Sequence, residues 1–441
     1  MLLYLPLPSS PVCSFYLPAP RFAKPPHSIP SFAISCRLSK PIRESLSRTL
    51  YAPPVGSDVS IKLILESLLP CEGEPPAEGF PKEVMDFVLC CAALAAAEGD
   101  DSPTLFWVTK DLILAAKLSL RELSRAASFE SEREMLVELM PDVLSVVKGV
   151  IKESSVDTKS EDIFASSAKT PVDYAIVAAH QFRWLVSQVA YPDLGKLLWL
   201  VTPCALTSLD HWSAAVKEQG IASFIHIVKN VNAAELSWYE EAILDVCCSN
   251  IPAADELWHR VIEISVLLLT STQKANPRSP WFERMLNEML SHLERQPFNK
   301  ERRVSWLTQI EPVFSVMGLF ILAHFSRIFP LFFQWMHADD EDTILLVLGR
   351  LHTIIKLTWI RKSPHFERLV DELTLLYKET AVRKNREVIR HQILRLLVLL
   401  QQCKGLQFQK TWDKHKNDPD LTMMVSSFNN LLNETQTTST R

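Results

Sequence analysis

The sequence predicts an all-α fold, a right-handed α-solenoid of about fifteen helices stacked as two-helix units. Three observations predict it. Glycine occurs only 10 times in 441 residues while Leu, Ala and Glu are plentiful, a balance poor in hairpin turns and rich in helix formers. Helix starts recur as a hydroxyl residue followed by proline. A six-residue pattern that opens at Ser279 returns at Ser363.

Residues 1–56 come first and stand apart. They are rich in Pro and Ser, hold six Lys/Arg against the single acid Glu44, and include Arg21, Lys24, Arg37 and Lys40. Such a composition predicts a disordered leader, either an organellar transit peptide or an upstream extension of the reading frame. Prolines interrupt the apolar stretch from Met1 to Leu17, which argues against a secretory signal.

A helical block follows over residues 57–152. The polar stretch 153–169, rich in Ser, Lys, Asp and Glu, reads as a linker to a longer repeat array over 170–416, and 417–441 as a last helix with a flexible tail. Within these bounds the starts are Ser102-Pro103, Thr170-Pro171, Ser279-Pro280 and Ser363-Pro364. The hydroxyl is suited to cap free amides, and proline at the first helical position forfeits no hydrogen bond. After Thr170-Pro171, the residues Tyr174, Val177, Ala178, Gln181 and Leu185 trace one helix face.

The repeat is read from residues 279–284, Ser-Pro-Trp-Phe-Glu-Arg, against 363–368, Ser-Pro-His-Phe-Glu-Arg. Met285-Leu286-Asn287-Glu288 then answers to Leu369-Val370-Asp371-Glu372. The offset is twice about 42, the length of a two-helix HEAT or armadillo unit. A second echo links the apolar run 197–201 and Asp210 to the run 329–333 and Asp339. One such unit cannot bury both its apolar faces, so units stack and leave an extended surface for partners.

Chemistry is sought and not found. The sequence has no G-x-G-x-x-G, G-x-x-x-x-G-K-[ST], G-x-S-x-G or H-E-x-x-H, so no enzyme, cofactor or metal is read from it. The nine cysteines lack any C-x-x-C spacing, and the adjacent pairs Cys90–Cys91 and Cys247–Cys248 suit small buried hydrophobes. His226, His259 and His352 sit singly beside apolar residues as structural histidines. The acidic turn Asp339-Asp340-Glu341-Asp342 lacks the spacing of a calcium loop and reads as a helix cap. The apolar stretch from Val313 to Phe333 is interrupted by His324, Arg327 and Pro330, which favours a buried repeat helix over a membrane span.

Aromatic residues crowd 300–360, with Trp306, Trp335, Trp359 and Phe320 among them. Most such side chains fill gaps between helices; Trp and Arg on the surface anchor partners. Arg361-Lys362 adjoins them, and 378–416 holds ten Lys/Arg against three acids, with Arg383, Arg386 and Arg390 close on one helical wheel. The candidate partner-binding residues are therefore Arg327, Trp335, Trp359, Arg361, Lys362, Arg383, Arg386 and Arg390. An acidic protein suits them better than nucleic acid.

One segment also carries a resemblance. Trp306, Ile310-Glu311-Pro312, Met317-Gly318-Leu319, His324 to Leu331, Trp335 and Thr358-Trp359-Ile360-Arg361 resemble the C-terminal repeats of the smaller HEAT-repeat subunit of the TTT co-chaperone complex. Members of that family often show proline where this chain has Ile360. The resemblance implies a non-enzymatic scaffold of the cytoplasm or nucleus that binds sister HEAT-repeat subunits. It also implies service to phosphatidylinositol-3-kinase-related kinase clients, handed to the Hsp-ninety machinery with chaperone adaptors. The alternative, drawn from the basic leader, is an armadillo-repeat adaptor imported into a chloroplast or mitochondrion to bind RNA or a protein complex.

Overall fold

The computed structural model describes residues 32–53, 59–70, 82–99, 104–154, 170–253, 256–361 and 363–439. All regular structure among them is helical. The N-terminal part contains α1 (Phe32–Arg48), α2 (Ile61–Ser67), α3 (Lys82–Ala96), α4 (Lys110–Ala126) and α5 (Glu132–Glu153). The middle contains α6 (Val172–Ser187), α7 (Asp193–Lys196), α8 (Leu198–Leu209), α9 (Ala214–Asn230), α10 (Ala233–Leu236), α11 (Glu240–Ala253) and α12 (Trp258–Thr272). Then come α13 (Pro280–Arg295), α14 (Lys300–Gln309), α15 (Glu311–Met317), α16 (Phe325–Met336) and α17 (Glu341–Thr358). The chain closes with α18 (Phe366–Glu379), α19 (Arg386–Lys404), α20 (Leu406–Trp412) and α21 (Thr422–Ser439).

Polar caps start many of these helices. The side chains of Ser60, Thr109, Ser131, Ser279, Asn299 and Asp340 each accept a backbone N–H in the first turn of the helix that follows. Thr170 does not follow the rule, since Pro171 itself takes the cap position and no side chain caps α6; Ser363-Pro364 stands ahead of α18, whose cap position is His365 with no side-chain bond, and Ser102-Pro103 lies outside the described residues. Asp340 fulfils the capping reading of the acidic turn, accepting from the Thr343 amide at 2.9 Å.

The helices form two layers. In one, α3, α6, α9, α12, α14, α17, α19 and α21 each pack on the next; in the other, α1, α4, α5, α8, α11, α13, α16, α18 and α20 do the same. Sequence neighbours such as α5 and α6, α8 and α9, or α16 and α17 join the layers into units. The result is an all-α solenoid. Its apolar interior is one cluster that runs unbroken from Ile42 to Phe428.

The echo at 84 residues is structural as well as sequential. At Ser279 the hydroxyl accepts from the Trp281 amide at 3.3 Å, and at Ser363 it accepts from the His365 amide at 3.3 Å. Phe282, Met285, Leu286 and Met289 are buried on α13, and Phe366, Leu369, Val370 and Leu373 are buried at the matching positions of α18.

Two expectations of organisation are corrected. The disordered leader was drawn to residue 56, yet residues 32–48 are α1, whose Ile42 and Leu46 are fully buried in the core. Ile34, Leu38, Ile42 and Leu46 recur every fourth residue and supply the apolar face that composition concealed. Residues 1–31 lie outside the described residues. The linker reading of 153–169 falls largely on 155–169, also outside them, and the blocks on either side are not separate. Helix α6 packs on both α3 and α5, Arg183 donates to the Ala96 carbonyl at 3.1 Å, and Arg133 to the Ala190 carbonyl at 2.9 Å.

The count of helices also exceeds fifteen. Gly318 and Gly405, at φ 54° and 47°, adopt left-handed turns that break continuous apolar stretches into α15 and α16, and into α19 and α20. Residues 311–336 pass for a membrane span by length and composition, but in the fold they are two helices with a 3-10 segment between, half of them buried.

Candidate protein-binding edge

The ends of α17 and α19 in the first layer meet along one edge of the stack. Near its C-terminal end this edge is tied together by polar contacts. Lys404, the last residue of α19, donates to the carbonyl oxygen of Trp359 at 2.8 Å and to that of Arg361. The Arg278 guanidinium lies 5.0 Å over the ring of Phe320, joining the loop after α12 to the segment after α15.

Along this edge the apolar side chains face water. Trp359 is 55% exposed, Ile360 62% and Leu406 84%, with Leu319 and Phe320 also exposed. A buried Leu removes apolar area worth about 2 kcal/mol, so several such side chains left in solvent on one rim mark a surface with a use. The polar side chains here include the guanidinium groups of Arg361 and Arg278 and the amine of Lys404. The edge is therefore an apolar strip with a basic border, suited to a protein surface of opposite charge.

The eight residues singled out from sequence do not come together. Trp359 and Arg361 sit on the edge, and Lys362 lies outside the described residues. Trp335 is a correction: it is 1% exposed, its indole donates to the Pro297 carbonyl at 2.9 Å, and it packs with Trp306 and Phe332 in the core. Arg327 is half-buried and committed. It pairs with both carboxylate oxygens of Glu294 at 2.8 and 2.7 Å and donates to Asn287 and Ser291, so it fastens α16 to α13.

Arg386 and Arg390 lie in the first turns of α19, roughly 27 and 21 Å from Lys404 at 1.5 Å per residue, and Arg383 lies just before that helix. Arg390 stacks 4.5 Å over Tyr377 and donates to the Thr380 hydroxyl at 2.9 Å, and Arg383 donates to the Asp339 carbonyl at 3.2 Å. Arg386 donates to its exposed neighbour Glu387. Arg383 and Arg390 thus help to seat α19 on α18 and on the turn before α17, while Arg386 is exposed.

Sequence reasoning named Phe320 only among the crowded aromatics and missed Leu406 and Lys404. The signal was present at Gly318-Leu319 and Gly405-Leu406, where a left-handed glycine ends a helix and turns the next leucine outward.

Other polar groups hold the structure together. Among the described cysteines six are buried and Cys403 is half-buried, and burial pushes the thiols of Cys90 and Cys247 up to about 12. Asp340 is partly buried, which opposes its charge. Hydrogen bonds from the Thr343 hydroxyl and amide, with the Arg303 guanidinium, outweigh that and hold its carboxyl below the usual range. Among the described residues no group of three or more His, Cys, Asp or Glu is placed to hold a metal ion.

Comparison with known proteins gives relatives rather than a site. No family model matches the chain. A protein of Arabidopsis thaliana, described as Uncharacterized protein At2g39910, is 50% identical over 400 residues, covering 87% of this chain and 92% of its own length. TELO2-interacting protein 2 of Homo sapiens is 26% identical over 281 residues, covering 59% of this chain and 52% of its own. Its Rattus norvegicus counterpart is 25% identical over 197 residues, covering 41% and 38%. The chain thus spans about half of the human relative. Among solved structures, an engineered protein aligns at TM-score 0.39 and 10% identity, a likeness too loose to bear on fold or function.

Proposed function

The chain belongs to the family of the Arabidopsis thaliana protein At2g39910 and is distantly related to TELO2-interacting protein 2, and from that premise we propose that it is a TTT-type scaffold subunit. It binds a sister helical-repeat subunit through the Trp359–Ile360–Arg361 edge, and the assembly assists maturation of phosphatidylinositol-3-kinase-related kinases in the cytoplasm or nucleus.

The observation that carries the reading is the exposed apolar strip with a cationic border at the C-terminal end of the array. Fifty per cent identity extends this fold across the family, and the name of the distant relative supplies the kind of partner. A scaffold of this sort needs rigid helices and a free rim, and both are present.

The test is affinity purification of the tagged chain from cells. Sister TTT subunits or a related kinase are the expected co-purifying proteins, and Arg361→Glu is expected to abolish their recovery while the circular-dichroism melt stays nearly unchanged. Recovery of none of them by the unmodified chain would overturn the reading.

A further inference from the structure

Trp238 stands 87% exposed on the short 3-10 turn Ser237–Tyr239 that joins α10 to α11. Among the described residues no ring or guanidinium stacks on its indole. The bridge is a run of consecutive helical turns, and in such a run side chains three apart lie over one another. Glu235, Trp238 and Glu241 form one column, and Glu240 borders it. Neither Glu240 nor Glu241 has an ion-pair partner among the described residues. One carboxylate oxygen of Glu235 is out of solvent without a hydrogen-bond donor.

A neighbouring short helix packs close to this turn. A Cβ added at Gly195 of α7 would fall 2.6 Å from Glu235 Oε2, so α7 and α10 approach closely because position 195 has no side chain. Next to α7 along the chain are two more exposed aromatics, Tyr191 and Trp199.

The same chemical parts occur in completed form elsewhere in the chain. Arg284 lies 5.0 Å over the ring of Trp281, with its Nη2 2.8 Å from Asp245. Arg368 lies 4.6 Å over the ring of Phe333 and donates to Glu372 at 3.1 Å. In both, a planar guanidinium is held between an aromatic face and a carboxylate, an arrangement that suits arginine better than lysine. At Trp238 an exposed aromatic face has Glu241 three residues on in the same column, and among the described residues no guanidinium is held there.

We propose that the Trp238 column is a second docking site, and that its occupant is an arginine-bearing segment of a partner protein. Its sign is opposite to that of the Trp359 edge. A basic segment drawn to Glu240 and Glu241 is repelled by Arg361 and Lys404, so the two sites sort two partners along one array.

The experiment is fluorescence anisotropy of the full chain against fluorescein-labelled nona-arginine, nona-lysine and nona-glutamate at physiological salt. Nona-arginine is expected to bind saturably and roughly tenfold tighter than nona-lysine, with nona-glutamate unbound at this site. Trp238→Ala brings the two basic peptides level, Trp238→Phe keeps the preference, and Glu240→Gln with Glu241→Gln weakens both. Equal affinities of the unmodified chain for the two basic peptides, or an arginine preference that survives Trp238→Ala, overturns the proposal. Arg361→Glu is expected to leave these affinities unchanged, so failure here is separate from failure at the Trp359 edge.

Discussion

The ammonium of Lys404 lies 2.8 Å from the carbonyl oxygen of Trp359, and it also reaches the carbonyl oxygen of Arg361. A cation at the end of α19 thereby satisfies acceptors that the end of α17 leaves free, and it fixes the exposed turn between them. Lys404→Met returns those carbonyls to water. The expected loss of stability by chemical denaturation is under about 1 kcal/mol, with partner capture reduced roughly fivefold through the looser turn. Unchanged capture would mean that α17 alone sets the turn.

Trp335 separates core from surface in the aromatic segment. Its ring is buried against Trp306 and Phe332, so Trp335→Ala is expected to cost about 3–5 kcal/mol in denaturant unfolding. Trp359→Ala, by contrast, is expected to leave stability within about 0.5 kcal/mol and to reduce partner capture. The reverse outcome would exchange their roles.

Helix α1 gives a handle on the N-terminal region. Leu46→Ala is expected to cost about 2–4 kcal/mol, because Leu46 is fully buried in the shared core. Mass spectrometry of the mature chain supplies the complementary check. Cleavage between residues 35 and 55 would remove part or all of α1, and a stable mature chain beginning there would contradict the packing of that helix.

His211 sets a pH dependence. Its Nδ1 accepts from the Ser213 amide at 3.0 Å and its Nε2 lies 3.1 Å from the Ser154 hydroxyl, so the ring is built in as the neutral form. Burial, with the positive charge of Lys217, lowers its pKa from 6.5 to about 4, against a smaller opposing effect from Ser154. A depressed histidine pKa means that the unfolded chain takes up the proton first. The stability is therefore fully present above about pH 7 and is lost as pH falls from 6.5 toward 4, by about 2 kcal/mol after allowance for solvent screening. His324, His352 and His365, all lowered by burial, act in the same direction. Denaturant midpoints of the unmodified chain and His211→Gln, measured from pH 7 to 4.5, are expected to converge as pH falls. Parallel curves would remove His211 from the account.

The fold was legible because its devices are local. A hydroxyl before a proline, and an apolar face that returns after two units, are properties of short stretches, and Ser279 and Ser363 make the same turn. The edge was legible only where a cation adjoins an exposed ring, as at Trp359 and Arg361. Exposure itself is not written in spacing. Trp335 lies inside α16 and Trp359 one residue past the end of α17, yet both belong to the same aromatic run. Arg383 and Lys404 share the charge of one segment, and the length of α19 sends them to opposite edges. Trp238 lies outside the aromatic-dense stretch, and nothing in its spacing marks it as exposed. Helix α1 was hidden by proline and serine, although its fourfold spacing was present in the sequence.

The matched turns at Ser279 and Ser363 also bear on how such a chain lengthens. Two points with the same local geometry and the same buried register are natural seams for duplication or loss of coding sequence, since material removed between them restores an intact helix start. Relatives of different length are then expected to differ near such seams by whole units, with the helices themselves conserved in length.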